Sequence, residues 1–257
     1  MGGVPAVGGG LGLVGILIVV VLNVLGGGGG GSAGFELPNL APVAPPSGET
    51  SETIPLEDDE AQFVAFVIDH VQDTWSQIFA DADRVYEPTE VVLFSEATQT
   101  GCGVGQSATG PFYCPADRLV YIDLTFFEEL RTRFGAPGDF AEAYVIAHEV
   151  GHHVQTLLGI SEQVESREDG IKLELQADCF AGVWGYAANH QDPPLLERGD
   201  LEEGLGAAAA VGDDRIQEQT QGRVNPETWT HGSSEQRMSW FSKGFDSGNP
   251  DVCDTFS

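Results

Sequence analysis

The chain has 257 residues, of which 41% are hydrophobic, enough for one substantial domain plus additional segments. Its 40 acidic and 11 basic residues give a formal charge of −29, which excludes nucleic acid as a partner because no basic surface can displace counterions. Two explanations of this acidic, lysine-poor surface are equally consistent with the sequence: adaptation to a salt-rich habitat, and solubility alone.

The first 56 residues differ in composition from the rest. Ala6–Leu25 is an uncharged, largely apolar stretch of membrane-spanning length, so residues 1–25 are predicted to be a transmembrane signal anchor. Residues 26–56, rich in glycine and then in proline, are predicted to be a flexible tether. We expect a single-pass protein of the cell membrane with its C-terminal domain outside the cytoplasm. Cleavage of the segment would instead give a secreted protein.

Residues 57–257 form the predicted folded domain. Its first helix should be capped by Asp58 or Asp59 and end near Ala80, since apolar residues recur every three or four positions. His70 lies on that stripe and is expected in the core or at its boundary. Residues 90–95 and 119–124 are predicted to be strands, and the glycine-rich residues 100–105 between them are predicted to be a loop.

The chain has four cysteines, Cys102, Cys114, Cys179 and Cys253. An even number of cysteines beyond an export segment favours disulfides, with Cys102 paired to Cys114 and Cys179 to Cys253. Cysteine as a zinc ligand is the competing interpretation, although no C-x-x-C pair is present.

A short helix is predicted at 125–134, broken by Gly135-Ala136-Pro137-Gly138. The next helix, capped by Asp139, should run to about Leu158 and contains the pattern H-E-x-x-H. Residues four apart share one helix face, so His148 and His152 can bind a single zinc ion with Glu149 beside it as general base. The alternative for two such histidines is a structural pair.

A catalytic zinc ion takes three protein ligands, and the third is predicted on a helix over residues 171–190. Glu174 and Asp178 are four apart there, so one carboxylate can bind the metal while the other orients a ligand histidine. Residues 161–170 are polar and are expected to cover the cleft.

Residues 197–219 are predicted to form an alanine-rich helix, in which Gly212-Asp213-Asp214 is either a polar contact to the core or a solvated turn. Ser233 or Ser234 can open a short helix near the C-terminus. Two residues of this region, His231 and Arg237, are candidates for the cleft: a histidine can stabilise an oxyanion, and an arginine can hold a carboxylate through two hydrogen bonds.

Long strings of the sequence resemble the family of bacterial neutral zinc metallopeptidases. The strings are G-P-F-Y-C-P-A-D (110–117), V-Y-I-D-L (120–124), F-G-A-P-G-D-F-A (134–141), Y-V-I-A-H-E-V-G-H-H-V-Q (144–155), L-Q-A-D-C-F-A-G-V-W (175–184) and H-G-S-S-E-Q-R (231–237). The resemblance implies a zincin-like α+β fold, mainly helical with a small twisted sheet. The H-E-x-x-H and E-x-x-x-D patterns are also similar to those of membrane gluzincins such as the CAAX prenyl protease. The segment between Ile160 and Ile171 is shorter than is usual for the family.

The resemblance also implies roles for individual residues. The zinc ligands would be His148, His152 and Glu174, with one zinc ion per chain, and the base would be Glu149. Asp178 would lie behind the ligands, and His231 and Arg237 would be residues of the cleft, with Arg237 not itself binding the metal. These roles predict zinc-dependent hydrolysis of peptide or protein substrates. Two other readings remain: a scaffold module with a closed structural zinc site, in which Asp178 or His153 is a fourth ligand, and a hydrolase of cell-wall amides.

Overall fold

The computed structural model describes residues 59–95, 97–106 and 110–257. The predicted anchor and tether, residues 1–25 and 26–56, lie outside the described residues. Within the described ranges, no helix has the length and apolar character needed to cross a membrane.

The described chain is mainly helical with five short strands. The helices are α1 (Asp59–Asp81), α2 (Leu124–Thr132), α3 (Asp139–Leu158), α4 (Arg167–His190), α5 (Asp200–Ala210), α6 (Asp213–Gln221) and α7 (Ser234–Ser247). The strands are β1 (Val91–Phe94), β2 (Ala97–Thr100), β3 (Gly103–Gln106), β4 (Phe112–Cys114) and β5 (Leu119–Asp123). Short 3-10 turns cover Ser161–Gln163, Pro226–Thr228 and Pro250–Cys253.

The strands form two small sheets. One has the order β1-β5-β4, with β1 parallel and β4 antiparallel to β5, and the other is the hairpin β2-β3. The prediction of a loop at residues 100–105 was therefore wrong at both ends, because Thr100 pairs with Gly103 across a tight turn. The alternating apolar pattern of a strand is missing there. Tertiary bonds stabilise the hairpin instead: the Gly101 N–H donates to Asp117 at 2.6 Å, and Cys102 is disulfide-bonded to Cys114.

Helix α3 lies at the centre of the domain and is buried on nearly all sides, packed against α1, α4, α5 and the three-stranded sheet. It ends at Gly159, which adopts the left-handed conformation (φ 72°), as predicted. Its N-cap position is occupied by Gly138 with no side-chain bond, so Asp139 is the first helical residue and not the cap.

Glycines bring α4 close to its neighbours. A Cβ atom at Gly182 would lie 2.1 Å from the carbonyl oxygen of Phe241, and one at Gly244 would lie 2.0 Å from that of Cys179. Helices α4 and α7 therefore contact each other backbone to backbone at these two glycines. A residue with a side chain at either position would prevent this approach. The contact joins the second half of α7 to the middle of α4.

Two helix predictions need correction. Helix α4 begins at Arg167 and not at residue 171, because Ser166 caps it by accepting from the Asp169 N–H. The predicted helix over 197–219 is two helices, α5 and α6, interrupted at Gly212. The chain turns there because Gly212 has extended dihedrals and its Cα lies against Ser234, where a Cβ would be 2.4 Å from the Ser234 nitrogen.

Both predicted cysteine pairings agree with the structure. Cys102 and Cys114 are joined across the hairpin, and Cys179 of α4 is joined to Cys253 near the C-terminus. All four cysteines are paired, so none is available as a metal ligand.

Candidate metal centre and cleft

Helices α3 and α4 bring three metal-binding side chains together. Nε2 of His148 lies 3.2 Å from one carboxylate oxygen of Glu174, and Nε2 of His152 lies 3.5 Å from the other. Each residue offers one ligand atom, and these three atoms all lie within 4.8 Å of one another. The spacing of four residues places both histidines on the face of α3 that meets α4.

The donor set fits a zinc ion. Tetrahedral zinc with bonds of about 2.0–2.2 Å to nitrogen and oxygen keeps its donors about 3.3–3.6 Å apart. The two distances to Glu174, 3.2 and 3.5 Å, match that spacing. Two imidazoles and one carboxylate are also the kind of donor set found in catalytic zinc sites that leave a position open.

His148 is held from behind by a buried carboxylate. Its Nδ1 lies 2.9 Å from Oδ1 of Asp178, and the Tyr144 hydroxyl donates to the same oxygen. Arg237 donates to both oxygens of Asp178, from Nε and Nη2, each at 2.8 Å. The close packing of α4 and α7 makes this pair possible, and it places Arg237 behind the centre with its guanidinium committed to Asp178.

His152 has an uncharged partner. Its Nδ1 lies 2.8 Å from Oε1 of Gln155, which is completely buried one turn further along α3. In both histidines the Nδ1 atom is therefore engaged, which leaves Nε2 as the atom that faces Glu174.

The electrostatics of the cluster favour a positive charge. Burial lowers the pKa of His148, but the increase caused by the Asp178 and Glu174 carboxylates is larger, and the net pKa is about 9. Burial also lowers the pKa of His152, and Glu174 reverses that shift to give a net increase. Burial raises the pKa of Glu174, but the two histidines pull it well below its ordinary value. A cation placed among these groups would be stabilised.

Glu149 lies beside the cluster in a buried position. Burial raises its pKa, while the neighbouring His148 and His152 and a hydrogen bond from the Tyr113 backbone lower it; the net shift is upward. A carboxylate with a raised pKa next to a metal centre is suited to accept and return a proton.

His231 reaches the same cavity from the loop before α7. Its Nδ1 lies 3.2 Å from Oδ1 of Asp213, and its backbone N–H donates to Oδ2 at 2.6 Å. Asp213 is the first residue of α6, just beyond the break at Gly212. The segment Gly212-Asp213-Asp214 was predicted to be either a polar contact to the core or a solvated turn, and the structure shows the polar contact.

The cluster opens into a cavity with mostly apolar walls. From α3 it is lined by Val145, His148, Glu149, His152 and Thr156, which form one stripe along the helix. Its other walls come from the segment 110–115, from the aromatic rings Phe126, Phe134 and Tyr144, from Ser161, Val164 and Gly170 of the predicted cover, and from Leu173, Glu174, Val211, Ile216, His231 and Arg237. The predicted cleft residue Arg237 therefore lines the cavity as well as binding Asp178. The predicted cover thus contributes to the cavity wall.

Two other histidines lie away from the cluster. His153 is buried, with Nε2 2.6 Å from the Glu87 carbonyl oxygen and Nδ1 3.2 Å from the Tyr113 hydroxyl. His70 lies between Gln191 and the indole N–H of Trp184, which donates to its Nδ1 at 2.9 Å. Both match their expected packing roles.

Sequence reasoning missed Gln155, Tyr144 and the partnership of Asp213 with His231. Gln155 follows His152 by three residues, and Tyr144 precedes His148 by four residues in the same helix. Helical periodicity could therefore have placed both side chains near the centre. Nothing local to Asp213 indicates its partner, which is 18 residues away in the chain.

The family model described as "Putative neutral zinc metallopeptidase" matches residues 1–256. The chain is 49% identical over 235 residues to "Uncharacterized protein YpfJ" of Escherichia coli (strain K12), covering 87% of this chain and 81% of that protein. It is 51% identical over 187 residues to "Uncharacterized protein Rv2575" of Mycobacterium tuberculosis (strain ATCC 25618 / H37Rv), covering 67% of this chain and 64% of that protein. No solved structure gives a significant match.

Proposed function

Since the chain belongs to the family described as "Putative neutral zinc metallopeptidase", we propose that it is a zinc-dependent endopeptidase whose metal is held by His148, His152 and Glu174. The observation that carries the proposal is the 3.2 and 3.5 Å spacing of these donors at the floor of a cavity that also contains Glu149. Zinc, when bound, supplies a Lewis acid that polarises a carbonyl and lowers the pKa of water toward 7.

The chain's own residues would carry the proton transfers. Glu149 takes a proton from the attacking water and returns it to the leaving amine, a role that its raised pKa supports. His231, held through Nδ1 by Asp213, would donate from Nε2 to the oxyanion in its doubly protonated form, in which both ring nitrogens are donors. Asp178, paired with Arg237, keeps His148 oriented with Nε2 toward the metal.

The shape of the cavity supports a peptide as substrate. From Val145 to Thr156 the α3 stripe is about 16 Å long at 1.5 Å per residue. An extended peptide advances about 3.3 Å per residue, so about five residues would lie along the stripe. The strand β4 contributes Phe112 and Tyr113 to the cavity wall and lies at an edge of the three-stranded sheet, so an extended substrate would pair with that edge. A site of this length suits cleavage within a chain.

The structural-zinc alternative is disfavoured by the donor count. Among the described residues, the group that could hold a metal here has three members, His148, His152 and Glu174. The two candidates for a fourth ligand have other partners: Asp178 binds Arg237 and the far side of His148, and His153 binds Glu87 and Tyr113. Three ligands leave a position for water and substrate.

We also propose that residues 1–25 anchor the domain in the cell membrane, through the tether 26–56, with the domain 57–257 outside the cytoplasm. The length and apolar character of Ala6–Leu25 support the anchor. The two disulfides support an oxidising compartment, where such bonds persist.

The test is cleavage of an unbiased peptide library by the full chain, loaded with zinc, stripped by chelator, and reloaded. We expect internal cleavage that disappears with the chelator and returns with zinc. Zinc-loaded protein that cleaves no peptide but releases fragments from cell-wall peptides would favour the amide-hydrolase alternative. Zinc-loaded protein that cleaves neither would favour the scaffold alternative.

A further inference from the structure

Two buried glutamines connect the ligand His152 to the C-terminal segment. Gln155 of α3 is 0% exposed and Gln176 of α4 is 4% exposed. Nδ1 of His152 lies 2.8 Å from Gln155 Oε1, Gln155 Nε2 donates to Gln176 Oε1 at 3.1 Å, and Gln176 Nε2 donates to the Cys253 carbonyl at 2.9 Å. We call these two amides and the Cys253 carbonyl the amide chain.

The amide chain can run in one direction only. A carbonyl oxygen accepts and never donates, so Gln176 must present its NH₂ group to Cys253 and its oxygen to Gln155. Gln155 must then present its NH₂ group to that oxygen, and it donates to the Leu173 carbonyl as well, at 2.7 Å. The oxygen of Gln155 therefore faces His152 and requires an N–H at Nδ1.

The direction of the amide chain selects the tautomer of His152. With the proton on Nδ1, the neutral imidazole has its lone pair on Nε2, the atom that faces Glu174. We propose that Gln155 and Gln176 are positioning residues that set this tautomer and thereby the zinc affinity, although Gln176 touches no metal ligand. This inference rests on the proposed function, because it takes His152 to be a zinc ligand.

The far end of the amide chain is held covalently. Cys253 is disulfide-bonded to Cys179, which neighbours Asp178 in α4. The disulfide therefore keeps an acceptor in place against Gln176, in a C-terminal segment that otherwise has few contacts with α3. His148 is oriented by a carboxylate and His152 by a neutral amide, so the second histidine gains its orientation without adding a further negative charge.

The test measures the zinc affinity of the full chain by competition with a chromophoric chelator. Exchange of a group that orients a metal ligand typically weakens metal binding by about 10–100-fold, and we expect Gln155→Met and Gln176→Met to fall near that range. The matched control is Gln217→Met. Gln217 is 5% exposed and its amide also makes two hydrogen bonds, to Thr228 and Asn225, but these do not lead to a ligand histidine. Its zinc affinity should equal that of the wild type.

The double variant separates positioning from general loosening of the core. Because Gln176 acts through Gln155, adding Gln176→Met to Gln155→Met should change zinc affinity little further. Gln176→Leu replaces Gln176→Met if the latter does not fold, since leucine likewise can neither donate to Cys253 nor accept from Gln155, and the same loss is expected. Wild-type zinc affinity in the Gln176 variant, or losses that multiply in the double variant, would overturn the inference. A wild-type chain that binds no zinc would overturn the proposed function as well.

Discussion

Asp213 holds His231 at two points: its Oδ2 accepts the His231 backbone N–H at 2.6 Å, and its Oδ1 lies 3.2 Å from the imidazole Nδ1. The first contact fixes the backbone of His231, and the second holds its ring together with the Thr230 hydroxyl, which lies 2.8 Å from Nδ1. The Asp213 carboxylate accepts a hydrogen bond from the N–H at Nδ1 and so helps to orient the ring. In the proposed mechanism, this pair holds His231 in position to act on an oxyanion in the cavity.

The first prediction concerns this pair. His231→Ala should lower kcat for peptide cleavage by about 10²–10³-fold, as expected for removal of one oxyanion donor. Asp213→Asn should lower kcat in the same direction, because the imidazole ring loses the carboxylate oxygen that holds Nδ1 in place. Zinc content should be unchanged in both, since neither residue is a proposed ligand. Steady-state kinetics with metal analysis checks this; wild-type kcat in Asp213→Asn would contradict the role of the pair.

The second prediction concerns acid stability. Burial raises the pKa of Asp213, but hydrogen bonds from His231 and Thr230 lower it more, so the folded pKa lies below its unfolded value of about 3.9. The resulting stabilisation is complete above pH about 4 and is lost as pH falls through the folded pKa. In urea unfolding of metal-free protein between pH 6 and pH 3, the wild type should lose more stability than Asp213→Asn. Equal losses would exclude this contribution.

The parts of the fold and site that the sequence predicted are those in which local pattern decides. Helical spacing alone places His148 and His152 on one face, and the same spacing pairs Glu174 with Asp178. Apolar periodicity gave α1 and α3 nearly to the residue, since these helices are amphipathic or buried and α3 ends at a glycine.

The parts that the sequence did not predict depend on tertiary contacts. The β2-β3 hairpin lacks an apolar alternation and is stabilised by Asp117 and a disulfide from elsewhere in the chain. The break between α5 and α6 occurs because Ser234 packs against Gly212. Helical spacing places Gln155 beside His152, but its role was overlooked because its other hydrogen-bond partners, Leu173 and Gln176, are distant in sequence.

The third prediction compares the two disulfides. They close loops with sequence separations of 12 and 74 residues. In the chain-entropy model the first contributes about 3 kcal/mol and the second about 4.5 kcal/mol to the free energy of unfolding. Cys179→Ser/Cys253→Ser should therefore unfold at lower denaturant concentration than Cys102→Ser/Cys114→Ser. The opposite order would show that local packing around the hairpin outweighs loop entropy.

The fourth prediction concerns substrate preference. Phe126, Phe134 and Val145 line the cavity, and Val145 lies one helical turn before Glu149. Burial of a large apolar side chain there stabilises a bound peptide by about 1.5–3 kcal/mol. We expect kcat/KM for peptides with a large apolar residue next to the cleaved bond to exceed that for acidic residues by at least about 10-fold. Phe126→Ala should reduce that ratio.

The control for this preference is Phe66→Ala, since Phe66 is exposed on α1 and does not line the cavity. It should leave the ratio unchanged. An unchanged ratio in Phe126→Ala as well would mean that the aromatic wall does not select the substrate.

The most direct test of the account compares Glu149→Gln with His152→Ala in full-chain protein, with zinc content and peptide hydrolysis measured on the same preparations. Glu149→Gln should retain one zinc ion per chain and lose about 10²–10⁴-fold of the hydrolysis rate, because the ligands remain and the base is gone. His152→Ala should lose both zinc and hydrolysis. Hydrolysis at the wild-type rate in Glu149→Gln, or a full complement of zinc in His152→Ala, would contradict the assignment of base and ligand on which the proposed peptidase depends.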